Sequence, residues 1–436
     1  MSVLTQQNFT QQFLSDLTGV SPKASFMPFE KIASALQFLE EKGIPNNKWE
    51  DYKYCNIEAI LRKEFKTVSK VEHAVNFSEL KNHTIDQDAI PVFIFNGKVV
   101  APNETIKTDG LLIESLEDLS AEGKEIFENH FATSSENFSD SLVALNTAYC
   151  GNGLLVHLKK GTQLDSPVHI IHLNSNKENC IINTRKLIVA EENSRLQINE
   201  TYVSGAEEGK IFENECTEIF IGKNAALYHN ILQTENDSSY KVCTIQTNQQ
   251  QDSNYAVNTF SLGGNLLRNN LNIVVNGEHA ETHLNGLSIS NVQQLIDHHT
   301  LVDHAVPNCV SNELYKGVAN GKSTLIFNGK IFVRRDAQKI NAYQSSKNIL
   351  LSDDASVNTK PQLEIFANDV KCSHGTSTGK VDEEALFYLK SRGIGEVAAK
   401  KLLLQAFAGE VLEKVKDEKF RAEIEARMNQ KIELNA

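Results

Sequence analysis

Two short stretches, Leu154-Leu155-Val156-His157-Leu158 and His169-Ile170-Ile171-His172-Leu173, indicate the fold of the middle of this chain. Both are short, mostly apolar runs rich in branched side chains, a pattern typical of buried strands. Similar runs, such as Leu325-Ile326-Phe327, recur from about residue 136 to 380 between turn residues, with no amphipathic helix among them. The region therefore predicts a mainly β fold, which could be a sandwich, a barrel or a β-solenoid.

The turns of this region leave the strand topology open. Asn-Gly pairs occur at 276–277, 285–286, 320–321 and 328–329. Because Asn-Gly is the strongest two-residue hairpin signal, local rules favour antiparallel hairpins. A parallel β-helix also needs tight turns, and no strict sequence period decides between the two arrangements.

The flanking regions differ in texture from the middle, so we predict three domains: 1–135, 136–380 and 381–436. The first is mainly helical, with a helix over 29–42 that ends at Gly43 and a second helix capped by Ser120. Between these helices, the segment 91–100 predicts a small strand–turn–strand element.

The sequence of the C-terminal domain predicts three helices. Asp382 is a good N-cap for the first, which Gly393 ends, and the others span about 396–415 and 417–433. The apolar face expected for the middle helix consists of Val397, Leu402, Leu403, Ala406, Phe407, Val411 and Leu412.

Composition excludes several functional classes. The 436 residues include 43 Lys and Arg against 56 Asp and Glu, a net charge of −13, which disfavours nucleic-acid binding. The N-terminus has neither a basic region nor an apolar core typical of a signal peptide, and no run of about 18 apolar residues occurs. We therefore expect a cytoplasmic protein that does not contact a membrane.

The seven cysteines lie far apart and include no Cys-x-x-Cys pair, so they are expected to be free thiols. A self-contained iron–sulfur cluster usually needs about four closely spaced thiolates. The isolated chain is therefore not expected to hold a stable cofactor of this kind.

Two segments nearly match known motifs. In 316–324 only three residues separate the glycines where a phosphate loop needs four, and a strand follows rather than a helix, so an ordinary β-turn is expected. His279, Glu281 and His283 resemble a zincin motif with its Glu one place late. In a strand the two histidines would lie about 13 Å apart, so solvated β-face residues are the better interpretation.

A looser cluster consists of His298, His299, His304 and Cys309. Its spacing fits no standard zinc site. It nevertheless supports an alternative hypothesis, in which the chain is a metal-dependent β-fold enzyme that uses His298, His299 and His304.

Cys372 and His374 form a different kind of pair. They are two residues apart, so on a strand they leave the same face about 6.6 Å from one another. A thiolate and an imidazole placed in this way suit iron, and the neighbouring Lys371 is expected to lower the pKa of the thiol. The alternative is a packed cysteine beside a hydrogen-bonded histidine, with a purely structural role.

The C-terminal half resembles the SufB/SufD family of the Suf iron–sulfur cluster assembly system. The resemblance rests on the segments 315–318, 327–330, 348–355, 359–365, 369–375, 383–389 and 391–394, with a shorter match at 49–54. SufB carries a Glu-His-Glu pattern where this chain has Cys372-Ser373-His374, which favours the SufD branch.

The resemblance implies a right-handed parallel β-helix core flanked by helical domains, against the local preference for hairpins. It implies a non-catalytic scaffold subunit that assembles with SufB and with the ATPase SufC, which hydrolyses the ATP. The sequence leaves open whether the chain forms a homodimer when SufB is absent. Cys372 and His374 become candidate ligands of a transient iron or nascent cluster shared with SufB. The implied SufC-docking residues are Leu386, Leu389, Arg392, Leu403 and Phe407.

Overall fold

Successive strands of the middle region alternate between two sheets. The computed structural model describes residues 3–21, 26–74, 80–100, 105–108, 110–131, 140–206 and 208–435, and the predicted boundary at 135 lies outside these ranges. The first sheet contains β1 (Ile90–Phe95), β2 (Lys98–Val100), β6 (Val168–Asn174), β8 (Arg195–Ser204), β10 (Ala226–Gln233), β12 (Asn254–Ser261), β14 (Glu281–Ser290), β16 (Val310–Ala319), β18 (Ile340–Leu350) and β20 (Val370–Gly379). The second contains β3 (Thr105–Thr108), β4 (Leu111–Ser115), β5 (Asn152–Leu158), β7 (Cys180–Ala190), β9 (Ile211–Ile221), β11 (Ser239–Gln249), β13 (Leu266–Val275), β15 (Leu295–His304), β17 (Thr324–Val333) and β19 (Ser356–Ile365).

From β5 onward each strand pairs in parallel with the strand two places along the chain. The result is a parallel β-solenoid of about eight turns, as the family resemblance implies. Residues in register stack into ladders. On the outer face of the first sheet, Asn230 donates to Asn199, Asn258 to Asn230 and Asn285 to Asn258 at 2.8–2.9 Å. Such ladders satisfy the amide groups of successive turns.

The local expectation of antiparallel hairpins is therefore wrong for this region. Two of the Asn-Gly pairs lie inside strands, where the glycine makes room for a neighbour. A Cβ on Gly286 would lie 2.3 Å from the Tyr315 ring, and one on Gly329 would lie 2.0 Å from Nε2 of Gln344. The other two pairs follow β13 and β16 and lie in turns.

The two ends of the solenoid differ. At the N-terminal end, β1 and β2 form an antiparallel hairpin whose turn residues Asn96 and Gly97 have φ of 49° and 81°, and β3, β4 and β5 are also antiparallel. This confirms the predicted strand–turn–strand element. At the C-terminal end, β19 and β20 are the last strands of their sheets, and most residues of β20 are exposed.

Helices cover the outer faces of both sheets. The N-terminal group is α1 (Val3–Val20), α2 (Phe29–Lys42), α3 (Ile57–Glu64), α4 (Ala121–His130) and α5 (Ser141–Tyr149). Leu17 and Leu39 of this group share a buried cluster with Phe212 and Tyr240 of the second sheet. Gly43 ends α2 at φ 78°, and the Ser120 side chain accepts from the Gly123 amide, so both predicted signals are confirmed.

The C-terminal group is α6 (Glu383–Ser391), α7 (Glu396–Leu412) and α8 (Glu418–Glu433), and it packs on the first sheet. The Asp382 side chain caps α6 as predicted. The apolar face predicted for the middle helix is wrong in part. The face that α7 buries includes Leu404 and Ala408, whereas Val397 and Leu402 are exposed. In the described part of the chain, no helix is long and apolar enough to cross a membrane.

Candidate functional site

Cys372 and His374 both face the interior of the solenoid, on its last turn. In the register of β20 with β18, Cys372 pairs with Ala342 and His374 with Gln344. Residues paired in a parallel stack point to the same side, and both Ala342 and Gln344 are buried. His374 is exposed and Cys372 partly exposed because no described strand covers β20. The shared face that the spacing predicts therefore opens at the end of the molecule.

The Cys372 thiol is not activated by its neighbour. Burial raises the pKa of Cys372 above its ordinary value, with a smaller opposing effect from the Ala342 backbone. Lys371 is adjacent on the strand, so its side chain leaves the opposite face. The expectation that Lys371 lowers the pKa of this thiol is wrong. A bound metal would have to displace the thiol proton.

A buried polar column continues beneath His374. Gln344 and then Glu313 occupy the same register position on the two preceding turns. Thr300 and Gln344 donate to Oε2 of Glu313 at 2.7 and 3.2 Å, whereas Oε1 of Glu313 has no partner in the described chain. Burial raises the pKa of Glu313 to about 7. With strands about 4.8 Å apart, this carboxyl lies roughly 10 Å below His374.

Sequence reasoning missed this column. The only signal was the near-constant spacing of 313, 344 and 374, which equals one solenoid turn. That signal has meaning only once the chain is known to be a solenoid.

The outer face beside the pair forms a groove. A cleft of about 880 Å³ runs along the first sheet and is lined by Ser373, His374, Tyr343, Lys347 and Lys414, among others. The end of the solenoid is therefore accessible both along its axis and from the side of the C-terminal helices.

The rival histidines do not converge. Nε2 of His298 lies inside the solenoid, 3.0 Å from the Ser288 hydroxyl, whereas His299 is adjacent on β15, faces outward and lies 2.9 Å from Asp297. His304 faces inward, 3.0 Å from the hydroxyl of Ser311. The alternative hypothesis of an enzyme metal site built from His298, His299 and His304 is therefore wrong in its geometry.

The two near-motifs also behave as ordinary structure. His279 lies at φ 61° before β14 and is exposed, and His283 is partly exposed on the outer face of that strand. In the other segment, Gly321 lies at φ 64° in the turn between β16 and β17. The expected solvated histidines and β-turn are both confirmed.

Four large apolar side chains of the C-terminal helices are exposed, Phe387 and Tyr388 on α6 and Val397 and Leu402 on α7, and we call this set the apolar patch. Phe387 is 74% exposed and Val397 is 65% exposed. Of the residues predicted for docking, Arg392 is exposed, and the other four, Leu386, Leu389, Leu403 and Phe407, are partly buried. Sequence reasoning missed Phe387 and Tyr388, although two adjacent aromatic residues on a charged helix are a visible signal.

Comparison with known proteins identifies the family. The family described as "SUF system FeS cluster assembly, SufBD core domain" matches residues 172–407, and "SufBD protein N-terminal region" matches residues 5–170. The chain belongs to the SufBD family. This confirms the resemblance drawn from the C-terminal segments, and the protein is an iron–sulfur cluster assembly protein of this family.

SufBD relatives match along most of their length. The chain is 28% identical to the iron–sulfur cluster assembly protein SufD of Escherichia coli over 400 residues, 91% of each chain. It is 27% identical to an iron–sulfur cluster assembly SufBD family protein of Synechocystis, over 93% of this chain and 91% of the relative. The chloroplastic protein ABCI7 of Arabidopsis thaliana is 28% identical, over 97% of this chain and 91% of the relative.

Proposed function

We propose that this chain is a non-catalytic SufD-type subunit that assembles with SufB and SufC, and that its open solenoid end presents Cys372 and His374 to iron or a nascent cluster. The observation that carries the proposal is the placement of this pair. Both side chains belong to the inward face of the stack, yet they lie on the one turn that no described strand covers.

Two ligands are too few for a cluster, so a partner has to supply the others. The free edge of β20 offers unpaired backbone groups, which are a template for strand addition by another chain. SufB, a member of the same family, is the proposed partner at this edge. A second copy of this chain would use the same edge in its absence.

The apolar patch on α6 and α7 is the proposed SufC-docking surface. Exposed apolar clusters of this kind mark interaction sites. ATP hydrolysis belongs to SufC in this proposal. The seven cysteines are all unpaired, which suits a reducing cytoplasm, where we place the protein.

Hydrogen–deuterium exchange of this chain, alone and in complex with SufB and SufC, tests the docking. We expect the β20 amides to become protected in the complex, while those of the hairpin β1–β2 at the opposite end do not change. A complex that forms without protection of β20 would contradict the proposed interface.

A further inference from the structure

A second cluster of ligand-type side chains lies deep inside the solenoid, near its N-terminal end. His172 on β6 and Glu213 and Glu215 on β9 each offer one ligand atom, and these atoms lie within 4.8 Å of one another. His172 is 1% exposed, and both glutamates are fully buried. From β6 to β20 the first sheet takes seven strand steps, roughly 33 Å, so this cluster is separate from Cys372 and His374.

The cluster contains polar atoms that the fold leaves unsatisfied. Within the described residues, both ring nitrogens of His172, Oε1 of Glu213 and Oε2 of Glu215 have no hydrogen-bond partner. The nearest carboxylate oxygens lie 3.5 Å from Nε2 of His172, on Glu200, and 3.8 Å from Nδ1, on Glu215. A buried polar atom left unpaired costs about 1–3 kcal/mol, so this concentration points to a missing ligand.

The charges around the cluster are also unbalanced. Four buried carboxyl groups, those of Glu200, Glu213, Glu215 and Glu235, surround two buried ammonium groups, those of Lys186 and Lys241. Lys186 lies 2.9 Å from Oε1 of Glu215 and Lys241 lies 3.1 Å from Oε2 of Glu213. Lys186 therefore contacts the Glu215 oxygen that lies away from His172, whereas the Glu200 oxygen that it also contacts lies near the His172 ring. The carboxyl groups therefore outnumber the ammonium groups, and this excess of acidic groups favours a bound cation.

Further side chains hydrogen-bond the same carboxylates, among them Asn174, whose amide donates to Oε2 of Glu213 at 2.8 Å. The Tyr202 hydroxyl lies 2.9 Å from Oε1 of Glu215 and also contacts Glu200, and its single proton is shared between these two carboxylates. Nε2 of His229 lies 3.2 Å from the other oxygen of Glu200. These contacts fix the carboxylates in place, as outer groups do around metal ligands.

We propose that His172, Glu213 and Glu215 bind one divalent first-row transition-metal ion inside the solenoid. A ligand set of one imidazole and two carboxylates suits Mn²⁺ or Fe²⁺ better than it suits an ion that prefers thiolate ligands. Ligand bonds of about 2.1 Å place donor atoms about 3–4 Å apart, so shifts of about 1 Å close the site. The ion would stabilise the early turns and would not be the cargo of the assembly reaction.

Mn²⁺ binding to the full-length chain tests the site. The chain is unfolded, freed of metal with a chelator, refolded, and titrated with Mn²⁺ under electron paramagnetic resonance. We expect about one Mn²⁺ per wild-type chain, and at least about tenfold weaker binding for Glu213→Gln. The double variant Cys372→Ser with His374→Ala should bind as wild type does, which separates this site from the proposed cluster site.

Thermal unfolding gives a second readout that needs no variant. Saturating Mn²⁺ should raise the melting temperature of the wild-type chain, because an ion that binds only the folded state stabilises it. No bound Mn²⁺ and no rise in melting temperature would overturn the proposal. Equal binding by wild type and a folded Glu213→Gln would overturn it too.

Discussion

At the scale of single residues, Glu313 makes stability depend on pH. Its pKa is raised by burial from 4.5 to about 7, so the folded chain keeps a proton that the unfolded chain releases above about pH 5. Since the unfolded state then binds fewer protons, stability falls as pH rises from about 5 to 7. At pH 8 the Glu313→Gln substitution should recover up to about 3 kcal/mol of the unfolding free energy that the wild-type chain loses. At pH 5 it should change the unfolding free energy little.

Urea unfolding of wild type and Glu313→Gln at both pH values measures this. Glu235, whose pKa is also raised to about 7, remains in the variant. The dependence of the unfolding free energy on pH should therefore become weaker in the variant but should not vanish. An unchanged slope would show that Glu313 is already ionised in the folded chain.

Gly286 is a second residue whose role depends on the neighbouring solenoid turn, where it pairs with Tyr315. A Cβ at this position would lie 2.3 Å from two ring carbons of the buried Tyr315. Gly286→Ala should therefore cost about 1–3 kcal/mol of unfolding free energy through overpacking. Gly375→Ala is the matched control, because nothing lies within 4 Å of its added Cβ. If both variants unfolded at the same urea concentration, the tight contact would not be real.

Sequence alone could place Cys372 and His374 on one face, because strand periodicity is local. It could not find Glu313 beneath His374 or bring His172 to Glu213. Those contacts depend on which turns stack and in what register. The steps between stacked residues vary, as in Asn199, Asn230, Asn258 and Asn285, so no strict period is visible.

At the level of strands and helices, local sequence patterns predicted which elements form. They did not predict how the strands pair or which face of a helix is buried. The Asn-Gly pairs inside β14 and β17 are there because their glycines leave space for neighbouring side chains inside the solenoid. A rule for hairpin turns does not take such packing into account. On α7 the charged residues Lys401 and Glu410 lie on opposite sides of the helix, so the polar pattern did not single out the buried side. The exposed side of α7 is part of the proposed SufC-docking surface.

Phe387→Ser tests that surface. Its side chain is largely exposed, so the unfolding free energy should change by less than about 0.5 kcal/mol. Binding to SufC, measured by calorimetry, should weaken at least tenfold if Phe387 is an anchor, about 1.4 kcal/mol. Phe29→Ser removes an equally exposed phenylalanine from α2 and should leave SufC binding unchanged. Equal affinity for both variants would exclude the patch as the docking surface.

At the scale of the whole molecule, the solenoid is asymmetric. Antiparallel strands close its first turns, and the last turn is left open, with His374 exposed above the buried polar column. A closed end stabilises a monomer, whereas an open end with unpaired edges favours association. We therefore expect the body of the solenoid to be stable by itself and its C-terminal end to be completed by a partner.

Cys372 and His374 are proposed to supply ligands to iron or a nascent cluster at this open end. The most direct measurement is iron and acid-labile sulfide per complex, after co-expression with SufB and SufC and anaerobic purification. The double variant Cys372→Ser with His374→Ala should retain its partners and lose most of the iron and sulfide. Ser373→Ala, which alters the opposite face of β20, should retain both. Wild-type iron and sulfide in an intact double-variant complex would contradict the claim.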